Sequence, residues 1–497
     1  MHPLAQLDHQ FVWHPFTQMR DWLKREPVVI VAGKGAVLRD LQGREYLDAN
    51  SSIWTNLHGH NHPKINTAIQ RQLKKISHSS ALGLANEPAS LLSEKLVRAA
   101  NPRSAFRNRK LEKVFFSDDG STALEVALKL AYEFTRRTRP ASRRHIEPCF
   151  LSLEGAYHGD TVGAVSLGHI DLFHKSYSGL LFKTDKVMSP YCYRCPFNRA
   201  KPERADAREY RKCNWECASL VEKKFTTQKR KGNPCAAFVF EPLIQGAAGM
   251  IPQPPGWLQR VAGIARGHGA LLIADEVMTG FGRCGVESRE PRAEDQATNQ
   301  RPLSTLDSRP STLFASHHEG VQPDFLCLAK GLTGGYLPMA ATLTTQMVFD
   351  VFLGEYGEFK TFFHGHSYTA NQLGAAAALA SLDILQGEQS ISARQNLQKC
   401  LRDELQTLWP LPNVGDIRQV GLIAGIELVR DWRTRKPFAL RERVGIRVCE
   451  AMARRGVLTR PVGNVIVLMP PYCTTPAQLR RMVGVMHASI DGCFNGR

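Results

Sequence analysis

A chain of 497 residues is long enough for one large domain and a smaller one, and its 43% apolar and 22% charged composition is that of a globular protein rather than a disordered one. No apolar run reaches the length of a membrane span: the richest, 373–385, is Ala-rich and broken by Ser381 and Asp383, so it reads as a packed helix. A net charge of +18 invites a nucleic-acid or membrane-surface role, but the basic runs at 136–144, 223–231 and 430–443 lack interleaved aromatics, so neither partner is expected.

Residues 1–10 contain no apolar stretch of the secretory kind, which makes the cytoplasm the expected compartment and reduced thiols the expected state of the twelve cysteines. From about 114 to 330, short apolar strands alternate with helical patterns. A strand at 114–116 precedes Leu124, Ala127, Leu128, Ala131 and Phe134 at helical spacing. A strand at 149–153 is followed by a polar, basic stretch over 194–212. Another strand at 236–240 leads to a helix carrying Trp257, Leu258, Val261, Ala262 and Ala265, which Gly267 and Gly269 end. Strands at 270–274 and 325–329 complete the series. Between them, 287–312 has almost no apolar periodicity and reads as a long, mobile inserted loop.

This alternation predicts an α/β fold with a mostly parallel sheet, its crossovers right-handed. The expected division is a large domain over 61–368, interrupted by the insertion. A smaller α+β domain is expected over 369–497, completed by residues 1–60.

Four positions at strand ends carry chemistry that would suit pyridoxal phosphate. That cofactor needs a lysine amine, an acid beside the pyridine nitrogen, a flat group against the ring and a positive pocket for the phosphate. Lys330 follows a strand and opens the glycine-rich loop 331–335, where a ligand at the carboxyl end of a sheet would sit. Asp275 closes the preceding strand; a carboxylate there is costly without a partner, and a pyridinium would stabilise it. Gly120 and Ser121 lie between a strand and a helix, the position of an anion site. Tyr157, in a glycine-flanked loop after 149–153, can stack on a flat ring. Each has a bland alternative: a surface lysine, a salt-bridged or capping aspartate, an ordinary helix cap, a packed tyrosine. His158 reads as a hydrogen-bonded neighbour and Glu276 as structural.

Two features stand apart. Cys192-x-x-Cys195 with Cys213-x-x-x-Cys217 has the spacing of a four-thiolate zinc arrangement, against which the same cysteines read as free thiols. His58, His60 and His62 alternate and read as loop or packing residues. No metal is called for by the chemistry above.

The stretch Ala274-Asp275-Glu276-Val277-Met278-Thr279-Gly280-Phe281-Gly282-Arg283, followed by Leu328-Ala329-Lys330-Gly331-Leu332, resembles the class III aminotransferase signature. Trp13-His14-Pro15-Phe16-Thr17, His58-Gly59-His60-Asn61-His62-Pro63, Tyr157-His158-Gly159-Asp160-Thr161, Gln245-Gly246-Ala247-Ala248-Gly249-Met250 and Leu468-Met469-Pro470-Pro471-Tyr472 narrow the likeness to the family's biotin-biosynthetic branch. The resemblance covers nearly the whole chain outside the two polar segments.

It implies a fold-type I, pyridoxal-phosphate-dependent homodimer with active sites at the subunit interface. It further implies that 8-amino-7-oxononanoate is aminated to 7,8-diaminononanoate, with S-adenosylmethionine or lysine as donor. By position, Lys330 matches the cofactor-bearing lysine, Asp275 the pyridine partner, Tyr157 the stacking aromatic, and Gly120 with Ser121 the phosphate loop. Ser367 matches the residue that reaches the partner's phosphate, Gly365 lines the same pocket, and Arg460 matches the arginine that holds the keto-acid carboxylate. Phe16 and Ile53, beside Trp54, stand where members using S-adenosylmethionine carry tyrosine and tryptophan; members using lysine are closer to this sequence at Phe16 and at His366-Ser367-Tyr368. The open alternatives are another class III aminotransferase acting on an ω-amino acid or diamine, and a non-catalytic protein of the same fold that only binds partners.

Overall fold

The computed structural model describes residues 1–101, 109–285 and 313–494; the insertion expected over 287–312 lies outside them. Its centre is a seven-stranded sheet in the spatial order Leu111–Ser117, Ala340–Thr345, Phe325–Leu328, Leu271–Asp275, Cys235–Phe240, Cys149–Leu153, Asp185–Val187. Strand Leu271–Asp275 runs parallel to both neighbours, Ile273 opposite Phe325 and Leu271 opposite Ala237. All of its residues are buried, as are those of Cys235–Phe240 and Phe325–Leu328, which is why these strands are continuous apolar runs rather than alternating ones.

The sheet is not parallel throughout. Ala340–Thr345 runs antiparallel to both Phe325–Leu328 and Leu111–Ser117. Its threonines hide it from a hydropathy reading, yet they are buried: Thr342 Oγ1 donates to the Ala123 carbonyl at 2.8 Å and Thr344 Oγ1 to the Asp324 carbonyl at 3.1 Å. Satisfied hydroxyls make the burial tolerable.

Helix Gly120–Thr138 packs on this sheet through Leu124, Ala127, Leu128 and Ala131, the stripe expected from its spacing. Its start is fixed by a capping box: Asp119 Oδ1 accepts the Thr122 amide at 2.9 Å, and Thr122 Oγ1 accepts the Asp119 amide at 2.9 Å. The Ala-rich helix Gln372–Leu385 is buried over most of its length and packs against helices Pro63–Lys75 and Glu87–Ala100 and against the turn Lys330–Thr333. Small side chains permit that close approach.

Two smaller sheets flank the large one. Strands Ile30–Lys34, Val37–Asp40 and Glu45–Asp48 form a meander, and Val457–Leu458 joins it parallel to Glu45–Asp48, so the two ends of the chain pair. The hairpin Val414–Val420 and Ile423–Asp431 continues into Val465–Leu468. The basic segment 194–212 docks on this hairpin through one ion pair and hydrogen bonds to backbone carbonyls, beside a buried ion-pair network within the hairpin. Arg194 Nε meets Glu427 at 2.7 Å, Arg208 Nη2 donates to the Gln419 carbonyl at 2.8 Å, and buried Arg418 bridges Asp416 at 2.9 Å and Glu427 at 2.8 Å. Its polar composition is spent on specific pairs. Among the described residues, no helix is long and apolar enough to cross a membrane.

Candidate active site

Four strands of the large sheet lead at their carboxyl ends into one cavity of about 430 Å³. Gly120 and Ser121 follow the first, Tyr157 and His158 the second, Asp275 ends the third and Lys330 follows the fourth; all six line the cavity, as does Trp54 from the N-terminal segment. A cavity at the carboxyl ends of an α/β sheet, with a few polar groups converging in it, has the form of a small-molecule site.

Lys330 adopts a left-handed backbone (φ 44°), which costs a residue with a Cβ about 1–2 kcal/mol, and sits between the end of strand Phe325–Leu328 and a loop of glycines. Gly335 lets that loop close on the N-terminal segment: a Cβ there would lie 2.9 Å from the Asn56 backbone, and its φ of 85° disfavours any other residue. The Lys330 Nζ lies 4.8 Å from the centre of the Trp54 ring. Burial lowers the pKa of the amine, while Asp275 and Glu241 pull the other way. The net depression favours the uncharged, nucleophilic amine.

Asp275 is buried. Its Oδ2 lies 2.7 Å from His158 Nδ1 and its Oδ1 accepts the Val277 amide at 3.1 Å. Burial pushes His158 down, but the hydrogen bond and charge of Asp275 outweigh it and hold the imidazole above its ordinary value. His158 is thus the neighbour that orients the Asp275 carboxylate. Behind it, Glu241 accepts the Gly246 amide at 2.8 Å; burial raises its pKa to about 7.

Tyr157 OH donates to Asp160 Oδ2 at 2.6 Å, and its ring lies nearly parallel to that of His174, at 11° with centroids 6.2 Å apart. Burial and Asp160 keep the phenol protonated. Gly120 and Ser121 open a 19-residue helix, so their amides have no intrahelical acceptor and stand at its positive end. A Cβ on Gly120 would meet Val277 Cγ1 at 2.7 Å, so only glycine brings the backbone this close to the cavity wall.

The remaining expected residues lie around the cavity's edge or beyond it. Phe16, 60% exposed, packs edge-on against Phe173 at 5.3 Å, and Phe173 packs on Tyr157 at 6.3 Å. Ile53, 44% exposed, belongs to a run of left-handed residues from Ser51 to Trp54. Asp48 ties that run down, accepting the Ser52 amide at 3.0 Å and Ser52 Oγ at 2.8 Å. Gly365, Ser367 and Arg460 are exposed and outside the lining formed by this chain. His366 Nδ1 lies 2.9 Å from Asp118, which does line it. Glu276 accepts the Ser316 amide at 2.9 Å and Ser316 Oγ at 2.6 Å, a structural role. His58 bonds Ser381 at 2.9 Å and His60 bonds Asp48 at 2.9 Å, both as packing residues. Sequence reasoning missed Glu241, although it follows strand Cys235–Phe240 just as Asp275 ends its own; it also missed the approach of Trp54 to Lys330, which brings together residues 276 positions apart.

Residues 19–287 and 306–490 match the family model Aminotransferase class-III, and the chain belongs to that family. It is therefore a pyridoxal-phosphate-dependent transaminase of fold type I. Among its relatives, the adenosylmethionine-8-amino-7-oxononanoate aminotransferase of Geobacter sulfurreducens is 44% identical over 494 residues, covering 99% of this chain and 98% of the relative. The enzyme of the same name from Aquifex aeolicus is 42% identical, covering 98% and 97%. The crystal structure of the Methanocaldococcus jannaschii enzyme of that name superposes with a TM-score of 0.83 at 37% identity, covering 98% of each chain. The omega transaminase from Pseudomonas jessenii in complex with PMP gives 0.83 at 26% identity, covering 99% of each.

The cavity fits the cofactor on its own geometry. It offers an amine of depressed pKa, a buried carboxylate braced by an imidazole, an aromatic side chain on its wall and the amides of a long helix's first turn.

Proposed function

We propose that the chain converts 8-amino-7-oxononanoate to 7,8-diaminononanoate in biotin biosynthesis, with Lys330, Asp275 and Tyr157 as its catalytic residues. The observation that carries this reading is the convergence of those three side chains in one cavity. The full-length relatives at 42–44% identity are named for that substrate, whereas the omega transaminase stands at 26%. We also divide the chain as its sequence suggests, with 1–60 and 369–497 forming a small domain beside 61–368.

Pyridoxal phosphate, when bound, accepts the amino group of the donor at its aldehyde carbon and passes it to the acceptor, its ring taking up the electrons of the broken bond. Lys330 would hold it through Nζ. The same Nζ, when free, would take the proton from the donor α-carbon as general base and deliver it as general acid to the carbon that receives the amino group. Asp275, fixed by His158, would keep the proton on the ring nitrogen. Tyr157 holds a ring face, and the amides of Gly120 and Ser121 receive the phosphate. Arg460 supplies a planar, bidentate partner for the acceptor's carboxylate.

Lysine is the donor we assign, although the relatives carry S-adenosylmethionine in their names. Phe16 has no hydroxyl and Ile53 no aromatic face. A missing hydrogen bond weakens a ligand by about 0.5–1.5 kcal/mol and a missing cation–π contact by a similar amount, together roughly one or two powers of ten in binding. Initial rates at saturating 8-amino-7-oxononanoate are expected to give a higher kcat/KM with lysine. Phe16→Tyr with Ile53→Trp is expected to raise the S-adenosylmethionine rate. A wild-type preference for S-adenosylmethionine would overturn the donor assignment, and turnover of ω-amino acids without any of 8-amino-7-oxononanoate would overturn the substrate.

We infer a two-fold homodimer whose partner chain brings Ser367 to the phosphate, because Ser367 and Gly365 face outward here. Leu82 and Leu84 also expose apolar surface, and His78 bonds the Ser367 carbonyl at 2.8 Å, joining the two segments. Sedimentation is expected to show a dimer at assay concentration; a fully active monomer would remove the shared site.

A further inference from the structure

The four cysteines that the transaminase chemistry leaves unused, Cys192, Cys195, Cys213 and Cys217, converge on one small enclosed cavity of about 10 Å³. They come from two short segments. Cys192 and Cys195 flank the turn Cys192–Arg194, and Cys213 and Cys217 flank the start of helix Glu216–Arg230, with Cys217 in its first turn. We propose that these four thiols bind a single structural zinc ion.

Three observations support it beyond the spacing. The first is the small local core: Cys192, Tyr193 and Ala207 form a cluster of their own with Tyr191 and Tyr210, little apolar surface for the stretch between the two cysteine pairs beyond its contacts with the 414–431 hairpin. Small irregular segments of this kind are stapled by metal or disulfides, and all four cysteines here are free. The second is charge. Four thiolates on a divalent ion leave two negative charges, and Arg211 Nη1 already donates to Cys213 Sγ at 3.1 Å, while its guanidinium rests 4.1 Å from the Trp215 ring centre. A hydrogen bond from outside the ligand set onto a ligating sulfur is what tunes and orients such a site. The third is size: a cavity of that volume has room for about one water-sized particle, hence one ion and not a polynuclear cluster. No three of the four sulfurs stand within 4.8 Å of one another here, so zinc, at about 2.3 Å from each, would draw them together.

A competing cluster lies elsewhere. Cys149, Asp185 and Cys235 bring their ligand atoms within 4.8 Å of one another, but Lys224 Nζ holds Asp185 at 2.7 Å and the group supplies only three ligands. It therefore serves as the control.

Holoenzyme purified with reductant and no added metal is expected to contain one zinc per chain by plasma mass spectrometry. Cobalt exchanged into the site is expected to give the intense visible absorption of tetrahedral thiolate coordination. The double variant Cys192→Ser, Cys213→Ser should lose the zinc, and Cys149→Ser should keep it. If the double variant fails to fold, the wild type still decides: an organomercurial should release zinc in step with the blocking of four thiols. Holoenzyme that takes up neither zinc nor cobalt, four thiols that react at once with no metal released, or zinc lost in Cys149→Ser would each overturn the proposal.

Discussion

Lys330→Ala is expected to abolish covalent attachment of the cofactor and to lower turnover by at least the roughly 10²–10⁴-fold that a positioned acid–base group contributes. Its Nζ sits in a cavity that, among the described residues, no other lysine lines, next to Trp54. Borohydride reduction of the wild type followed by peptide mapping should find the cofactor on Lys330, and the variant should carry none. A reduced cofactor on another lysine would displace the whole assignment. The depressed amine adds a pH signature. Because burial lowers Lys330 below 10.5, its uncharged fraction is high at a lower pH than that of free lysine. The rate at which cofactor-free protein reloads should rise with pH and level off before that value; a rise continuing through it would show an exposed amine.

Asp275→Asn is expected to cost about 10²–10³-fold in kcat, roughly 3–4 kcal/mol, the loss typical when a preorganised electrostatic group is neutralised in a water-poor site. The isosteric amide keeps the fold, so the far-UV circular dichroism should not change. A second readout separates charge from shape. His158 is raised in the folded protein by Asp275. A group whose folded pKa lies above its unfolded value stabilises the protein fully below the unfolded value, and that stability is lost as pH rises through the folded value. Wild type should therefore lose stability from about 6.5 upward through the raised value, and Asp275→Asn should weaken this dependence because the hydrogen bond and charge of Asp275 that oppose burial at His158 are then gone. Identical pH–stability curves for the two proteins would show that His158 does not answer to Asp275. Unchanged kcat would remove Asp275 from the mechanism.

The legible part of this protein was local. Leu271–Asp275 and Phe325–Leu328 are apolar runs that can only be buried strands, and the residue at the end of each then has one place to be. Lys330, Asp275, Tyr157 and Gly120 line one cavity because α/β topology puts strand ends together, a rule that needs no knowledge of which strand lies beside which. Ala340–Thr345 was not legible: its threonines pay for burial with hydrogen bonds to Ala123 and Asp324, which are set by packing.

By itself, then, the sequence determined the class of fold, the buried strands and the chemistry waiting at their ends, since periodicity and turn residues act over a few positions. Only the tertiary structure decided that His158 braces Asp275, that Trp54 lies over Lys330, that a basic segment docks by an ion pair and hydrogen bonds on the 414–431 hairpin, and that two cysteine pairs line one small cavity. Those contacts join residues tens to hundreds of positions apart, and their energy depends on distance and burial in space, neither of which is written in the order of residues along the chain.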